Sequence, residues 1–410
     1  MKKRRFLCLA VTIATLMVTP LAAYADTASA ATADAKTALA PINVSLADAN
    51  EMMLKGIQGQ LLELGKMGDK IVITSASEGL REIREAQQSI NQMNQAALQL
   101  SQMGEPASAA AITALADEYR SQISGATKTD TERLKKYAQS ILEPNDKARH
   151  NALSLKSTEM YYTLKSAEEG LATVRESYDL AQTIYNQTQK KYSLGTVSKV
   201  DLLKAELDLA EAKDKLTSTE NSVKQARMGF NMLFGYELMQ PVNLTDSIAV
   251  PTLPSITLDD AIAKALENRN EIREAEYALD AAERAFSSYT AYPSTSAKYL
   301  QAKAKYLGSK SSCEMVPATV EQDIRTQYDS MHQLYDALQT SAKSVANAKE
   351  TLRLTQLQYN SGLVTYNVVQ QVRMLYESSL LSEESARLSY ALAVEKFNMS
   401  IDVGTNTAGI

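Results

Sequence analysis

In 410 residues the sequence has no tryptophan, two histidines, two cysteines, five phenylalanines, nine prolines and fifteen glycines, and each shortage excludes something. With only His150 and His332, neither a multi-histidine zinc site nor an ordinary histidine triad can be assembled. His332, in Met331-His332-Gln333-Leu334, reads as part of a solvated helix face. Cys313, between Ser312 and Glu314, has no histidine close in sequence and reads as a surface or intermolecular thiol. No glycine-rich phosphate loop occurs. The residues therefore indicate no catalytic, cofactor or metal site, and the chain does not read as an enzyme. Scarce glycine and proline, set against abundant alanine, glutamine, leucine, lysine and glutamate, favour long helices. The predicted fold class is all-α or nearly so, with β-strands few or absent.

Long apolar runs are also missing, with one exception. Lys2, Lys3, Arg4 and Arg5 precede an apolar run from Phe6 to Leu21 and the small-residue site Ala23-Tyr24-Ala25. That order is a secretory signal peptide over residues 1–25, which marks the protein as exported. No other stretch approaches the ~20 apolar residues of a spanning helix. Cleavage removes Cys8 and leaves Cys313 alone, so no intrachain disulfide can form. It also removes four basic residues and no acidic one, leaving 39 basic against 48 acidic. The mature excess of acid argues against nucleic acid as a partner. Residues 26–41 read as a flexible N-terminal segment and 406–410 as a C-terminal tail.

What the chain does have is repetition. Thr188-Gln-Lys-Lys-Tyr192-Ser-Leu-Gly195-Thr-Val197-Ser198 aligns with Thr355-Gln-Leu-Gln-Tyr359-Asn-Ser-Gly362-Leu-Val364-Thr365 at an offset of 167, and Phe230 meets Phe397 at the same offset. Val44-Ser-Leu46-Ala-Asp48-Ala49 aligns with Ile256-Thr-Leu258-Asp-Asp260-Ala261 at an offset of 212. Two unequal halves follow, 42–250 and 251–405, joined by a linker from Pro241 to Pro254.

Apolar residues recur in steps of four and three at Met160, Leu164, Ala167, Leu171, Val174, Tyr178, Ala181, Tyr185 and Tyr192. The pattern resumes from Leu202 to Leu233, and again at Val369, Val372, Tyr376, Ala386, Tyr390, Ala393 and Phe397. A period of about 3.5 residues over several heptads is a coiled-coil seam. The helix predicted from Leu155 to Tyr192 would run ~55 Å. Gly195 and Gly362 sit where each long helix should stop, and Ser198 and Thr365 are candidate N-caps for the returning helices. Each unit is thus a long hairpin with a tight tip. One pair of helices cannot bury both of its faces, so helices from the other half or from other subunits are expected to complete the packing. The stretch at about 75–142 reads as a helical insertion, with helices over Glu78–Met103 and Ser108–Ser124. Tyr292 to Pro317 offers one or two short candidate strands.

Tyr192, Gly195 and Asp201, in a tip repeated at Tyr359 and Gly362, resemble the TolC-like outer membrane efflux proteins. The resemblance is specific around 155–240 and 318–400, weaker at 42–66 and 255–286, and absent from about 67 to 128. It implies a homotrimer whose hairpins form a twelve-helix tunnel, serving efflux or type I-like secretion in the outer membrane or periplasm. It also implies a periplasmic adaptor (membrane fusion protein) that docks on the tips, and an inner membrane pump. The implied adaptor contacts are Tyr192, Leu194, Gly195, Thr196, Val197 and Ser198 in the first tip, and Tyr359, Ser361, Gly362, Leu363, Val364 and Thr365 in the second.

Asp201 and Tyr359 hold two positions of the family's constriction network, but the arginine position is Val364. The two ring-forming aspartates correspond to Val368 and Gln371. The acidic ring and its gating and cation-binding roles do not carry over. Asp201 also has a plainer reading, as a first-turn carboxylate favoured by the helix dipole.

The family's strand insertions have no counterpart in the helical stretch at 75–142, and the second half is shorter by roughly 45 residues. The sequence therefore reads as a barrel-less relative. The alternative function is a coiled-coil envelope scaffold without transport. A conduit predicts a closed oligomer with a polar path inside, and a scaffold predicts monomers or open bundles.

Overall fold

The computed structural model describes residues 40–123 and 125–409, so the expected signal peptide and nearly all of the 26–41 segment lie outside the described residues. In chain order the elements are β1 (Ile42–Val44), α1 (Leu46–Lys55), α2 (Ile57–Gln102), α3 (Pro106–Gln122), α4 (Gly125–Ser193), α5 (Lys199–Phe234) and β2 (Val242–Leu244). These are followed by α6 (Leu258–Asn268), α7 (Asn270–Ser287), α8 (Ala297–Asn360) and α9 (Tyr366–Ser400).

The motif repeated at 44–49 and 256–261 is a helix start. Ser45 caps α1 by accepting from the Asp48 N–H at 3.0 Å, while the Asp48 carboxylate accepts from the Ser45 N–H at 3.0 Å. Thr257 caps α6 through one half of this pattern, its hydroxyl accepting from the Asp260 N–H at 3.2 Å. Each cap satisfies backbone donors that the first helical turn leaves unpaired.

The linker holds a strand. β2 pairs in parallel with β1, Ile42 opposite Val242 and Val44 opposite Leu244, which ties the two ends of the first half together. Tyr161 of α4 locks this pair from beneath. Its hydroxyl donates to the Val44 carbonyl at 3.0 Å and accepts from the Asp246 N–H at 2.9 Å.

α4 and α8 have 69 and 64 residues, or roughly 100 Å each at 1.5 Å per residue. Both run through a proline, Pro144 and Pro317, which gives up one ladder hydrogen bond. Each half has its own core on its long hairpin. In the first, Phe230 is fully buried with ring centroids 4.3 Å from Phe234 and 6.4 Å from Tyr161. In the second, Phe397 is fully buried with Tyr328 at 5.8 Å. The phenylalanines that align in sequence therefore occupy equivalent packing positions.

At the other end of α4, α2 packs alongside through the largely buried pair Arg149 and Asp69, 2.8 Å apart, and Gly65 leaves room for the Arg149 side chain. The C-terminal segment crosses this region. Asn145 accepts from the Ala408 N–H at 2.7 Å and donates to the Ala408 carbonyl at 3.1 Å, and Asn270 donates to the Asn406 carbonyl at 2.9 Å. The 406–410 tail is thus seated across both halves as far as residue 409.

Several expectations change. The candidate strands between Tyr292 and Pro317 are absent: residues 297–317 belong to α8, because Ser296 caps the helix on the Tyr299 N–H and Tyr299 and Tyr306 pack on Phe286 at helical spacing. The helix predicted from Leu155 begins at Gly125, and the helix predicted from Glu78 begins at Ile57. His332 is half-buried rather than solvated, its ring 4.4 Å from Tyr328 and its Nε2 shielded without a partner. The seam of α4 near its tip uses Ser177 and Ile184, with Tyr178 and Tyr185 half-buried at its edge and Tyr192 exposed. α4 packs against α5 on one side and α9 on another, so Ser177 and Ile184 are buried in place of Tyr178 and Tyr185 while Val174 and Ala181 keep their predicted places.

Phe397→Ala is expected to lower the unfolding midpoint in urea by the equivalent of about 3–5 kcal/mol, the cost of a large core cavity. Phe230→Ala should cost a similar amount in the other core.

Candidate functional site

Both hairpin tips are built from the same stop. At the first, the Thr196 N–H donates to the Lys191 carbonyl at 2.9 Å and the Gly195 N–H to the Tyr192 carbonyl at 2.9 Å. At the second, Leu363 N–H to Gln358 O at 2.9 Å and Gly362 N–H to Tyr359 O at 3.0 Å repeat the pattern. Gly195 and Gly362 adopt φ of +74° and +75°, the left-handed conformation that closes this motif. A β-carbon at either would meet open space, so backbone conformation rather than crowding selects glycine there.

The two starts differ. Ser198 caps α5 by accepting from the Asp201 N–H at 3.1 Å, and the Asp201 carboxylate accepts from the Ser198 N–H at 3.1 Å and its hydroxyl at 2.7 Å. These bonds from the Ser198 side chain and backbone hold Asp201 below the usual carboxylate range. The equivalent of Asp201 in the second tip is Val368, and Thr365 makes no side-chain cap. There the Val368 N–H reaches only the Thr365 carbonyl, at 3.1 Å.

Leu194 and Leu363 crown the tips at 77% and 76% exposure. Ser361 and Thr196 are exposed beside them, and Val197 and Val364 are half-buried. Tyr359 crosses toward the first hairpin, with Lys191 Nζ 4.3 Å above its ring and Tyr366 at 6.3 Å. No hydrogen bond joins Asp201 to Tyr359, so the structure does not bring the two predicted network members together in one chain. Val368 and Gln371 are exposed.

Behind the tips, a cleft of about 340 Å³ opens among Ser177 of α4, Lys204 and Asp208 of α5, and Gln370, Arg373 and Glu377 of α9. Arg373, only 7% exposed, lies 3.0 Å from Glu377, which accepts from the Ser177 hydroxyl at 2.6 Å. This chain links the first hairpin to the second. Polar atoms of Asp208, Gln370, Arg373 and Tyr366 remain buried without a hydrogen-bond partner. Burial, and then the charge of Asp208, push the Tyr366 hydroxyl up from its ordinary value, so it stays protonated. Sequence reasoning missed this cluster by placing Val372 in the seam, whereas Arg373 is buried there. The available signal was an arginine and a glutamate four residues apart within an apolar register.

Further along the hairpins, Glu384 of α9 faces α4 beside Gly170. Burial first, and then the charge of Glu169, raise its carboxyl to about 7, against the opposing pull of Arg387. Arg387 is itself engaged by Glu383 at 2.9 Å. Among the described residues no group of three or more His, Cys, Asp or Glu could hold a metal ion.

No protein-family model matches the chain, and no curated protein matches it. Solved structures do. The outer-membrane channel OprN superposes with a TM-score of 0.58 at 13% identity, covering 88% of this chain and 90% of that one. CusC gives 0.56 at 16%, covering 68% and 75%. The MtrE outer membrane channel of Neisseria gonorrhoeae gives 0.55 at 18%, covering 69% and 73%. The fold is that of the TolC-like outer membrane channels. Sequence identity to these channels is low, and among the described residues there is no β-barrel insertion: the described strands are β1 and β2, three residues each.

Ser198→Ala is expected to cost about 1 kcal/mol by removing the cap. Val368→Asp should stabilise the second tip by about 0.5–1 kcal/mol by supplying the missing box partner, with both changes read from urea unfolding. Because the folded carboxyl of Glu384 titrates above the ordinary 4.5, its contribution favours folding at low pH and is lost as pH rises toward about 7. Glu384→Gln should flatten the dependence of melting temperature on pH over that window.

Proposed function

We propose that this chain is a non-enzymatic conduit protomer of the cell envelope. It assembles as a homotrimer and works with a periplasmic adaptor and an inner membrane pump in efflux or type I-like secretion. Each half, 42–250 and 251–405, supplies one hairpin, so three copies supply the twelve helices of a closed tube.

The observation that carries this reading is the apolar surface left open along the hairpins. Val200, Leu203 and Leu207 of α5 stand out at steps of three and four, and Leu354 and Leu357 of α8 are exposed in the same manner. Such lines are seams that one copy cannot cover. The tips, from Tyr192 to Ser198 and from Tyr359 to Thr365, present Leu194 and Leu363 to the adaptor. A polar link between the hairpins, from Ser177 through Glu377 to Arg373, supports a fixed pairing of the two within one copy.

A scaffold without transport is the second reading, favoured by the lack of any β-barrel insertion among the described residues. No described helix is long and apolar enough to cross a membrane.

Light scattering and negative-stain imaging of residues 26–410, first without detergent and then with it, test the proposal. A ring-shaped particle of three times the chain mass is expected, and Leu203→Glu should shift it toward the monomer without loss of helical signal. An elongated monomer at high concentration in both buffers would move the reading to the scaffold.

A further inference from the structure

The acidic balance of the chain reverses locally around the α7–α8 turn. From Ala285 to Cys313 there is no aspartate or glutamate, while Lys298, Lys303, Lys305 and Lys310 all fall in this stretch. It comprises the end of α7, the turn after it and the first turns of α8, and all four lysines are exposed. Lys310 has one acidic neighbour, Glu314 at 3.9 Å on the surface. Lys298 and Lys303 stand instead over aromatic rings, at 5.5 Å from Tyr292 and 6.0 Å from Tyr299.

The aromatic residues form a scaffold for this charge. Phe286 of α7 lies 5.4 Å from Tyr299 and 5.5 Å from Tyr306, and Tyr289 meets Tyr292 at 5.7 Å in the turn. At about 100° per residue, Tyr299 and Tyr306 share the face turned toward α7. Lys298 and Lys305 then line one flank of that face and Lys303 and Lys310 the other. Leu300 and Leu307, seven residues apart, are 51% and 49% exposed, and none of the described residues covers them.

We propose that the α7–α8 turn docks on an anionic membrane surface. The lysines meet lipid phosphates, and Tyr292, Leu300 and Leu307 enter the interfacial layer. Lysine stems and tyrosine rings suit a boundary that is apolar on one side and wet on the other, and basic clusters are drawn to anionic lipid. A soluble polyanion would occupy the lysines but leave the leucines without a role, which favours a membrane over a charged polymer.

The rest of this end is compatible with such seating. Arg284 pairs with Asp130 at 2.8 Å, and Gly79 faces Thr131, so these residues of α7, α4 and α2 lie at one level. Past Gly79, α2 continues to Gln102, roughly 35 Å further. Between Glu85 and Asp117 the only charged residue is Glu105. The α2–α3 end can therefore enter the headgroup layer without stranding a row of charges. This docking does not rest on the conduit reading, since a scaffold with the same end would seat in the same way.

Flotation of the full chain with phosphatidylcholine vesicles, with and without phosphatidylglycerol, tests the proposal. Binding is expected only to the anionic vesicles, weakening roughly fivefold for each of Lys298→Gln and Lys303→Gln and vanishing when all four lysines are replaced. Replacing Lys190, Lys191, Lys199 and Lys204 at the opposite end should leave it unchanged. Because the chain has no tryptophan, Tyr292→Trp places a single emitter in the turn, and its emission should shift to the blue on anionic vesicles. Equal binding to neutral vesicles, full binding by the four-lysine variant, or equal loss from the opposite-end variant would overturn the proposal. So would binding to soluble polyphosphate that displaces the vesicles and leaves the Tyr292→Trp emission unshifted.

Discussion

Burial of α4 on several sides at once is the constraint on which the remaining structure depends. The helix packs against α1, α2, α5, α7 and α9 along its length. Near its tip the buried residues are Val174, Ser177, Ala181, Ile184 and Thr188, at steps of three and four. Small and hydroxyl-bearing residues on this line let two neighbours approach together, and their polar atoms then need partners. Ser177 finds Glu377 at 2.6 Å and Thr158 finds Glu395 at 3.2 Å, both on α9. Glu168 holds Arg227 of α5 at 2.8 Å. Apolar packing is tolerant of sliding along a helix, whereas these paired polar groups are not. They fix the longitudinal register of the two hairpins on a shared spine.

The repeat is preserved where backbone geometry demands it and relaxed elsewhere. Both tips need a left-handed residue to stop a long helix and turn it, and both use glycine. Starting the returning helix is less demanding, because exposed N–H groups can bond to water. Asp201 can accordingly become Val368 without losing the turn. The ends away from the tips have diverged further, into the α2–α3 hairpin in one half and a lysine- and tyrosine-bearing turn in the other. Those ends do not share the coiled-coil seam, so its spacing places no restraint on them.

Much of the hairpin geometry was legible in the residues. Heptad spacing, Gly195 and Gly362, and the Ser198 start each have a local cause that acts within one turn of helix. The aligned Phe230 and Phe397 pointed correctly to two equivalent cores. What failed were readings in which a residue's fate depends on a second neighbour. Tyr178 was assigned to a seam that Ser177 occupies, and Val372 to a position where Arg373 is buried. A single periodic stripe describes one partner, and α4 and α9 each have more than one. The candidate strands after Tyr292 failed for a related reason. Their aromatic residues suit a strand in isolation, but Phe286 on the preceding helix takes Tyr299 and Tyr306 only when they are a heptad apart on one face.

The sequence by itself determined that the chain is helical, that it is duplicated, and where each long hairpin turns, because propensity, capping and glycine φ are properties of a few adjacent residues. Only the tertiary structure decided which residues line the cleft behind the tips, how the first strand pairs with the linker across 200 residues, and where the C-terminal segment lies. Each of those outcomes depends on bringing distant segments to one place. The free energy that does so resides in shared burial and matched polar partners, which no local pattern encodes.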